Sequence, residues 1–399
     1  MSKSAIVRGW RQTTLGKHVR IHSGSSPSQA QLDCNGAYPF VKVEDLNNCE
    51  KYQSSSRFYT NNRRFCAPAG SIMFPKRGAA IMNNKVRIAR TDFAMDTNIM
   101  AIEPAQDIDN EFLFYVIKSE GLYKIADTST VPQINNKHIN PYILTLPPLP
   151  EQRKIAEILR TWDEAIEKLE ALRAANLRRR IWMRTEVLSG ETRLPGCSGD
   201  WREEPLGHVL TEHRLQSTGV EQVFSVSVHK GLINQIEHLG RSFAAKETVH
   251  YNRVLPGDIV YTKSPTGDFP LGIIKQSKID QQVIVSPLYG VFSPVTRDLG
   301  IILDAYFESP VTVRNYLSPL VQKGAKNTIA ITNKRFLEGK LRLPIDPKEQ
   351  AAIAAIVNAS NAERALIEAE IEALTRQKRG LMQKLLTGEW RVKLEPADA

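Results

Sequence analysis

Hydrophobic side chains recur at three- and four-residue steps along two long stretches of the chain. In the first stretch, the recurring positions begin at Ile155 and end at Leu172. This spacing places them on one face of a helix, so it predicts an amphipathic helix. The two stretches, Glu151–Leu188 and Glu349–Leu386, are of equal length. At about 1.5 Å per residue, each predicted helix is about 57 Å long.

Helices this long seldom bury themselves against their own globular domain, so two of equal length predict a pair. An alanine-rich side of the second helix, from Ala355 to Ala373, predicts a close seam, because small residues let two helices approach each other. Alanine is also simply a good helix former, which is the alternative interpretation. The apolar positions predicted to pair are Ile155, Ile158, Leu159, Trp162, Ile166, Leu169, Leu172, Ile353, Ile356, Ile367, Ile371 and Leu374.

The segments before the two helices, roughly 10–148 and 201–342, have short β-type runs with turn residues between them. Helical stretches are predicted at Glu111–Lys124 and Leu303–Leu317. Each segment is therefore predicted to be an α+β domain. The predicted strands include Tyr38–Val43, Ser71–Phe74, Val223–Val228, Asp258–Thr262 and Val283–Phe292.

The chain repeats itself with a period near 198 residues. Glu151-Gln152 returns as Glu349-Gln350, and the Leu-Ser-Gly-Glu at 188–191 returns as Leu-Thr-Gly-Glu at 386–389. This period is too long for a solenoid, so it predicts a tandem duplication of one globular domain plus one long helix. The predicted fold is α+β, with two globular domains separated by two long helices that form an antiparallel coiled coil with pseudo-two-fold symmetry. The first globular domain is predicted at 1–148 and the first long helix at 149–192. The second domain is predicted at 193–345, and the second long helix with the C-terminal tail at 346–399.

The composition is that of an ordinary globular protein, with 42% hydrophobic and 24% charged residues among 399. It excludes a disordered tail, a collagen-like fibre and a disulfide-stapled miniprotein. The formal net charge of +10 favours a polyanionic partner, of which nucleic acid is the usual one. Neither a secretory signal nor a membrane-spanning run is visible, so we expect a soluble, cytoplasmic protein with no membrane partner.

Catalytic and metal-binding signatures are absent from the sequence. It has no phosphate loop, no Gly-x-Gly-x-x-Gly turn, no nucleophile elbow and no His-Glu-x-x-His helix. The Asn-Pro-Pro-aromatic tetrad that adenine methyltransferases use is also missing. The four cysteines form no Cys-x-x-Cys pair. We therefore expect no catalytic residue, no metal site and no cofactor bound by this chain, which favours a recognition protein.

Basic and amide side chains cluster in predicted loops of both repeats. Arg and Lys can contact guanine, and Asn can contact adenine, while Lys, Ser and Thr hold phosphates. Ordinary solvated turns are the alternative interpretation, because Asn, Gly and Lys are common in turns. The loops of Lys76 and Lys263 stand at equivalent places in the repeats, which favours DNA binding. The candidate DNA-binding residues are Arg63, Arg64, Lys76, Arg77, Asn83, Asn84, Lys85, Asn135, Asn136, Lys137, Lys263, Ser264, Thr266, Lys326, Asn327, Thr328, Asn333 and Lys334.

These features together resemble the DNA-specificity subunit of type I restriction–modification systems. The resemblance rests on the Pro-rich lead-in, the Glu-Gln pair, the long helix and the Leu-Ser/Thr-Gly-Glu that follows it, and it extends through Leu194–Trp201. It covers nearly the whole chain, although the two globular segments match only in layout.

The resemblance implies two target-recognition domains, each reading one half of a split site in double-stranded DNA. It also implies that the helices hold these domains apart and bind two modification subunits, which methylate adenine N6 with S-adenosylmethionine. Restriction subunits, with ATP and Mg²⁺, would join to cleave unmodified DNA. The alternatives are a specificity-like subunit of another bipartite restriction–methylation system, a stand-alone DNA-binding protein, and an enzyme with an unseen motif.

Overall fold

The chain folds into two compact units, as seen in a computed structural model that describes residues 7–236, 248–323 and 329–394. Unit 1 comprises Met1–Leu169 and Glu370–Ala399, and unit 2 comprises Glu170–Ala369. Each unit is α+β and contains part of both long helices. The predicted division into four segments stays a prediction.

In its described residues, unit 1 contains three sheets, four shorter helices and part of each long helix. The strand orders are β1-β11, β2-β10-β7-β8-β4 and β5-β3-β9-β6. Its strands are β1 (Arg11–Thr14), β2 (Val19–Ser23), β3 (Tyr38–Val41), β4 (Tyr52–Gln53), β5 (Phe58–Thr60), β6 (Cys66–Ala67), β7 (Ile72–Pro75), β8 (Arg87–Ala89), β9 (Phe93–Met95), β10 (Ile99–Pro104) and β11 (Ile143–Leu146). Its helices are α1 (Pro27–Ala30), α2 (Asn110–Glu120), α3 (Leu122–Ile125), α4 (Asn136–Ile139) and the first part of α5 (Leu149–Trp182).

The core of unit 1 lies between its five-stranded sheet, α2 and the long helices. Ile72 and Phe74 of β7 and Phe112 of α2 are almost completely buried there. Burying such a side chain contributes about 1.5–3 kcal/mol to stability. Ile155 and Leu159 of α5 join the same core, so the hydrophobic face of the long helix is fixed against the domain.

Unit 2 has a central four-stranded sheet, β13-β20-β17-β18, and four two-stranded ones, β12-β23, β14-β15, β16-β19 and β21-β22. Its strands are β12 (Trp201–Pro205), β13 (Leu210–Thr211), β14 (Phe224–Ser227), β15 (Gly231–Asn234), β16 (Asn252–Val254), β17 (Ile259–Tyr261), β18 (Ile274–Gln276), β19 (Val283–Val285), β20 (Gly290–Pro294), β21 (Gln322–Lys323), β22 (Ile329–Ala330) and β23 (Lys340–Pro344). Its further helices are α6 (Arg297–Tyr306), α7 (Pro310–Leu317), α8 (Asn333–Glu338) and the first part of α9 (Pro347–Leu386).

The two units share the topology of two sheets, which confirms the predicted duplication. The pair β1-β11 corresponds to β12-β23, and β2-β10-β7-β8 corresponds to β13-β20-β17-β18. The helix α2 follows β10 in unit 1, and α6 follows β20 in unit 2. A short helix also precedes the last strand of each unit, α4 before β11 and α8 before β23. Both units also have a tryptophan, Trp10 and Trp201, at equivalent places before or in the first strand.

Two predicted elements of unit 2 are wrong, and proline is the reason in both cases. The predicted helix Leu303–Leu317 is two helices, because Pro310 lacks an amide hydrogen and instead occupies the first turn of α7. The predicted strand Val283–Phe292 is also two strands, β19 and β20. Pro287 lies in the turn between them, where Tyr289 N donates to Ser286 O at 3.0 Å.

The two predicted long helices are confirmed. The first is α-helical from Leu149 to Trp182 and continues as a π-helical turn through Val187, and the second is α9. The glycines that follow them, Gly190 and Gly388, have φ values of 77° and 75°. This left-handed conformation is strained for other residues, so glycine ends each helix there.

Candidate nucleic-acid interface

Two of the predicted loops of unit 1 lie side by side. The chain leaves the buried strand β7 at Lys76, whose carbonyl accepts a hydrogen bond from Ile134 N at 2.9 Å. Two residues on, Gly78 N donates to Pro132 O at 2.8 Å. These backbone bonds bring the Lys76–Gly78 loop against the segment that leads into α4. The predicted residues of that segment are the exposed Asn135, Asn136 and Lys137.

Local sequence explains why both loops present polar side chains. Asn135 begins α4 through a capping box with His138, whose Nδ1 accepts from Asn135 N at 3.0 Å. Gly78 has a φ of 82°, which allows the turn after Lys76. Lys76 is half-buried and Arg77 is exposed, so their charged ends are available at the surface.

The Asn83–Lys85 cluster serves the fold of unit 1 instead. Asn84 has a φ of 49°, its Nδ2 donates to Lys118 O at 2.8 Å, and its Oδ1 accepts from Leu122 N at 3.1 Å. The amide therefore holds the junction of α2 and α3. Lys85 donates to the side chain of Asn47, and Asn83 is exposed. None of these contacts joins the cluster to the Lys76 loop.

Arg63 and Arg64 lie on a different sheet from Lys76. They occupy a short 3-10 turn between β5 and β6, and both are exposed. The Nη2 of Arg63 lies 3.7 Å from Asp92 Oδ2, a weak and solvated ion pair. The two arginines therefore form a second basic patch of unit 1.

The Lys263 loop of unit 2 has an unusual backbone. Lys263 has a φ of 58°, in the left-handed region that few non-glycine residues adopt. Burial lowers the pKa of Lys263, while the negative charge of Glu212 raises it. Further along the loop, Thr266 and Phe269 exchange two backbone hydrogen bonds, and Ser264 and Thr266 are exposed.

The start of α8 meets the same place in unit 2. Thr332 caps the helix by accepting from Arg335 N at 3.2 Å. The next residue, Asn333, donates through Nδ2 to Glu212 Oε1 at 2.6 Å, and Lys334 is exposed. Asn333 therefore bonds to the carboxylate whose negative charge also acts on Lys263. The predicted residues Lys326, Asn327 and Thr328 lie outside the described residues.

A stack of buried aromatic rings supports this corner of unit 2. The ring centroid of Phe336 lies 4.9 Å from those of Tyr261 and Phe292, with the planes 17° and 19° apart. All three side chains are almost completely buried. Because Tyr261 ends β17 and Phe336 belongs to α8, the stack fixes the loop of Lys263 relative to Asn333.

Sequence reasoning missed Glu212 and its neighbour Arg214 as members of the candidate site. The Nε of Arg214 lies 3.3 Å from Glu212 Oε2, and Arg214 has a φ of 56°. The residues predicted to bind DNA have basic, amide or hydroxyl side chains, whereas Glu212 is acidic. A usable signal was available in the duplication, since Glu212 stands where the first repeat has Ile21.

The helix segments of unit 1 are antiparallel and joined by ion pairs. Asp163 of α5 accepts from Lys378 of α9, and Glu151 accepts from Arg391 Nε at 2.6 Å. Ile155 and Leu159 are fully buried with Leu385 nearby in the same core. The other predicted pairing residues of this unit are half-buried, namely Ile158, Trp162, Ile166, Leu169, Ile371 and Leu374.

The helix segments of unit 2 are also antiparallel. Arg180 Nη1 donates to Asn361 Oδ1 at 2.8 Å, and Arg193 Nε donates to Glu349 Oε1 at 2.8 Å. Ile353 and Ile367, which were predicted to lie between the two long helices, are buried.

Several positions predicted to lie between the helices are instead exposed. Leu172 and Ile356 are 45% and 41% exposed. The predicted alanine seam is wrong, because its members in both units face solvent while Ala354 and Val357 are buried. The exposed alanines are Ala355, Ala359, Ala362, Ala365, Ala369 and Ala373.

Among residues 7–236, 248–323 and 329–394, no three His, Cys, Asp or Glu side chains are placed to share a metal ion. In the same part of the chain, no helix has the length and apolar character needed to cross a membrane.

Comparison with known proteins identifies relatives over most of the chain. Residues 8–175 match the model of the family described as type I restriction modification DNA specificity domain. The MjaIX type I restriction enzyme specificity subunit of Methanocaldococcus jannaschii is 26% identical over 172 residues, which are 41% of this chain and 40% of that subunit. The putative MjaX specificity subunit of the same organism is 23% identical over 97% of this chain and 95% of its own length.

A solved structure shows that the fold is shared. The type I restriction–modification S subunit from M. genitalium superposes with a TM-score of 0.60 at 15% identity. The alignment covers 96% of this chain and 98% of that one.

Proposed function

We propose that this chain, which belongs to the type I restriction–modification specificity family, recognises a two-part sequence in double-stranded DNA, with one part read by each unit. The observation that carries the proposal is the repeated loop arrangement. In unit 1 the loop of Lys76 lies against the segment that leads into α4. In unit 2 the loop of Lys263 follows Tyr261, whose ring stacks on Phe336 of α8. Equivalent loops with basic and amide side chains suit two similar domains that each recognise one part of the DNA sequence.

The chemistry of recognition follows from these side chains. Lys and Arg donate to guanine O6 and N7, and Asn pairs with adenine N6 and N7, in the major groove. The net charge of +10 attracts the phosphate backbone and positions the duplex, without specifying sequence. The exposed Arg77, Lys137 and Lys334 suit this positioning role, and Lys76 and Lys263 suit contact with base edges.

The catalytic steps belong to partner subunits in this proposal. Two modification subunits bring S-adenosylmethionine and methylate adenine N6, and restriction subunits bring ATP and Mg²⁺ and cleave unmodified DNA. The long helices α5 and α9 are the surfaces that the modification subunits contact, and the exposed Leu172, Leu177 and Trp182 give α5 apolar area for such a contact. The complex works in the cytoplasm, where the genomic DNA is.

A genome-wide map of N6-methyladenine tests this function. The map is made in cells that carry the gene and in cells from which it is deleted, with the same modification subunits present. We expect methylation at one split motif to disappear on deletion. Unchanged methylation, with an active methyltransferase confirmed, contradicts the proposal and favours a stand-alone DNA-binding protein.

A further inference from the structure

An acidic side chain lies at the centre of the basic corner of unit 2. Glu212 follows β13, and its side chain is 19% exposed. Its Oε1 accepts from Asn333 Nδ2 at 2.6 Å, and its Oε2 lies 3.3 Å from Arg214 Nε. A carboxylate has about four lone-pair sites, so Asn333 and Arg214 leave acceptor capacity for a further donor.

The backbone around Glu212 is strained in two places. Arg214 and Lys263, with φ values of 56° and 58°, are the non-glycine residues of positive φ in the described part of unit 2. Such conformations are unfavourable for these residues and persist where the surroundings hold them, commonly at functional sites. Around Lys263 the packing is tight, because a Cβ on Gly272 would lie 2.9 Å from Lys263 N.

Unit 1 lacks this arrangement. An alignment of the repeats without gaps, starting at Trp10 and Trp201, places Glu212 opposite Ile21. The pairing of β2 with β10 and of β13 with β20 supports the same alignment. The carboxylate is therefore particular to unit 2, as expected of a residue that distinguishes the sequences read by the two units.

We propose that Glu212 is a specificity-determining residue of unit 2 that accepts a hydrogen bond from the N4 amino group of cytosine in one G·C base pair. The inference rests on the proposed function. Lys263, on the adjoining loop, donates to O6 or N7 of the paired guanine. Donors and a carboxylate acceptor together complement the major-groove edge of a G·C pair, which presents two acceptors on guanine and one donor on cytosine.

The carboxylate favours cytosine over the other bases on electrostatic grounds. Thymine and guanine present keto oxygens, which repel it. Adenine presents N6, but the neighbouring N7 is an acceptor that repels the second carboxylate oxygen, whereas cytosine has a C5–H beside N4. Asn333 strengthens this choice, because only its NH₂ end can face Glu212, and that bond fixes the carboxylate in place.

The test is Glu212→Gln in the full chain with its modification subunits, read by the N6-methyladenine map. Glutamine keeps the size and the acceptor for Asn333 but adds a donor, so it can pair with adenine N6 and N7. We expect one invariant G·C position of a single half-site to admit A·T, with methylation of such sites rising roughly tenfold and the other half-site unchanged. Glu338→Gln is the matched control, since Glu338 is a half-exposed acid of α8 paired with Arg335, and it should leave the motif intact.

The outcomes separate this inference from the proposed function. A wild-type chain that directs no methylation overturns both. A wild-type motif that is identical in the Glu212→Gln chain at equal abundance, or that has no invariant G·C pair, overturns the assignment of Glu212 alone. If Glu212→Gln abolished all methylation, the purified wild-type and Glu212→Gln chains would each be used to select duplexes from a random pool. The inference then holds if the selected motif loses one G·C position in the Glu212→Gln chain, and it is overturned if the two motifs are identical.

Discussion

Glu308 supplies the carboxylate that several arginines of unit 2 share, and replacing it perturbs the attachment of the domain to the helices. Arg180 Nη2 donates to both oxygens of Glu308, at 3.0 and 2.9 Å, and Arg184 Nη1 donates to Oε2 at 3.0 Å. Arg364 Nη1 lies 3.7 Å from Oε1. The substitution Glu308→Gln keeps the size of the side chain and removes its charge.

The magnitude follows from the burial of Arg180, which is 4% exposed. Removing one partner of a buried ion pair costs about 3–5 kcal/mol, because the other charge stays buried without compensation. Arg180 keeps its bond to Asn361, and Glu308 is 25% exposed in the wild type. We therefore expect Glu308→Gln to lower the free energy of unfolding by about 2–3 kcal/mol.

The assay is urea unfolding of the full chain at pH 7, with Glu338→Gln as the control for loss of an exposed acid. The control should stay within about 0.5 kcal/mol of the wild type, since its ion pair is solvated. A Glu308→Gln chain as stable as the control would refute the argument that this carboxylate holds the domain to the helices.

The pH dependence gives a second check on Glu308. Burial raises its pKa, but the charges of Arg180 and Arg184 outweigh burial and hold the pKa below the ordinary value. In the unfolded chain the pKa of glutamate is about 4.3. The stabilising contribution is therefore complete above that pH and is lost as the pH falls through the folded pKa. The wild type and Glu308→Gln should differ in free energy of unfolding by a constant amount from about pH 6 to about pH 8. This difference should shrink below about pH 4.

Three further predictions concern other parts of the chain. Lys76→Ala and Lys263→Ala should each weaken duplex binding by roughly 1–3 kcal/mol in titrations at fixed salt, and unchanged affinity and motif in both would refute the loop assignment. Tyr115→Phe should lower the free energy of unfolding by about 1–3 kcal/mol, since the buried hydroxyl donates to Asp163 at 2.5 Å and accepts from Lys51; a loss under about 0.5 kcal/mol in urea would contradict this. Gly290→Ala should cost about 1–3 kcal/mol in the same assay, because its Cβ would lie 2.7 Å from the ring of Phe292, and a neutral result would show that the ring can move.

The duplication and the long helices could be predicted because both depend on regular spacing. The hydrophobic period found α5 and α9 to within two residues at their starts, Leu149 and Pro347. The inward face could be predicted in part, because Ile155, Leu159, Ile353 and Ile367 are buried as predicted whereas Leu172 and Ile356 are exposed. The contact of Asp163 with Lys378 could not be predicted, because the two residues lie 215 positions apart in the chain.

The candidate site was predicted in part for a similar reason. The repeat placed Lys76 and Lys263 at equivalent loops, and turn residues marked those loops as exposed. The contact between Asn333 and Glu212 joins residues 121 positions apart, and no local pattern connects them. Asn84 shows the opposite error, since an amide in a polar loop of unit 1 proved to hold a helix junction.

The two repeats kept one charge of the domain–helix attachment and moved the other. Lys378 and Arg180 stand 198 residues apart and are cations in both copies. Their partner on the facing helix is Asp163 in unit 1 but Asn361 in unit 2. In unit 1 the acid therefore lies on the helix, and the domain offers donors such as Lys51, 3.5 Å away. In unit 2 the equivalent helix position is the neutral Asn361, and the domain provides the acid, Glu308, which lies 2.9 Å from Arg180.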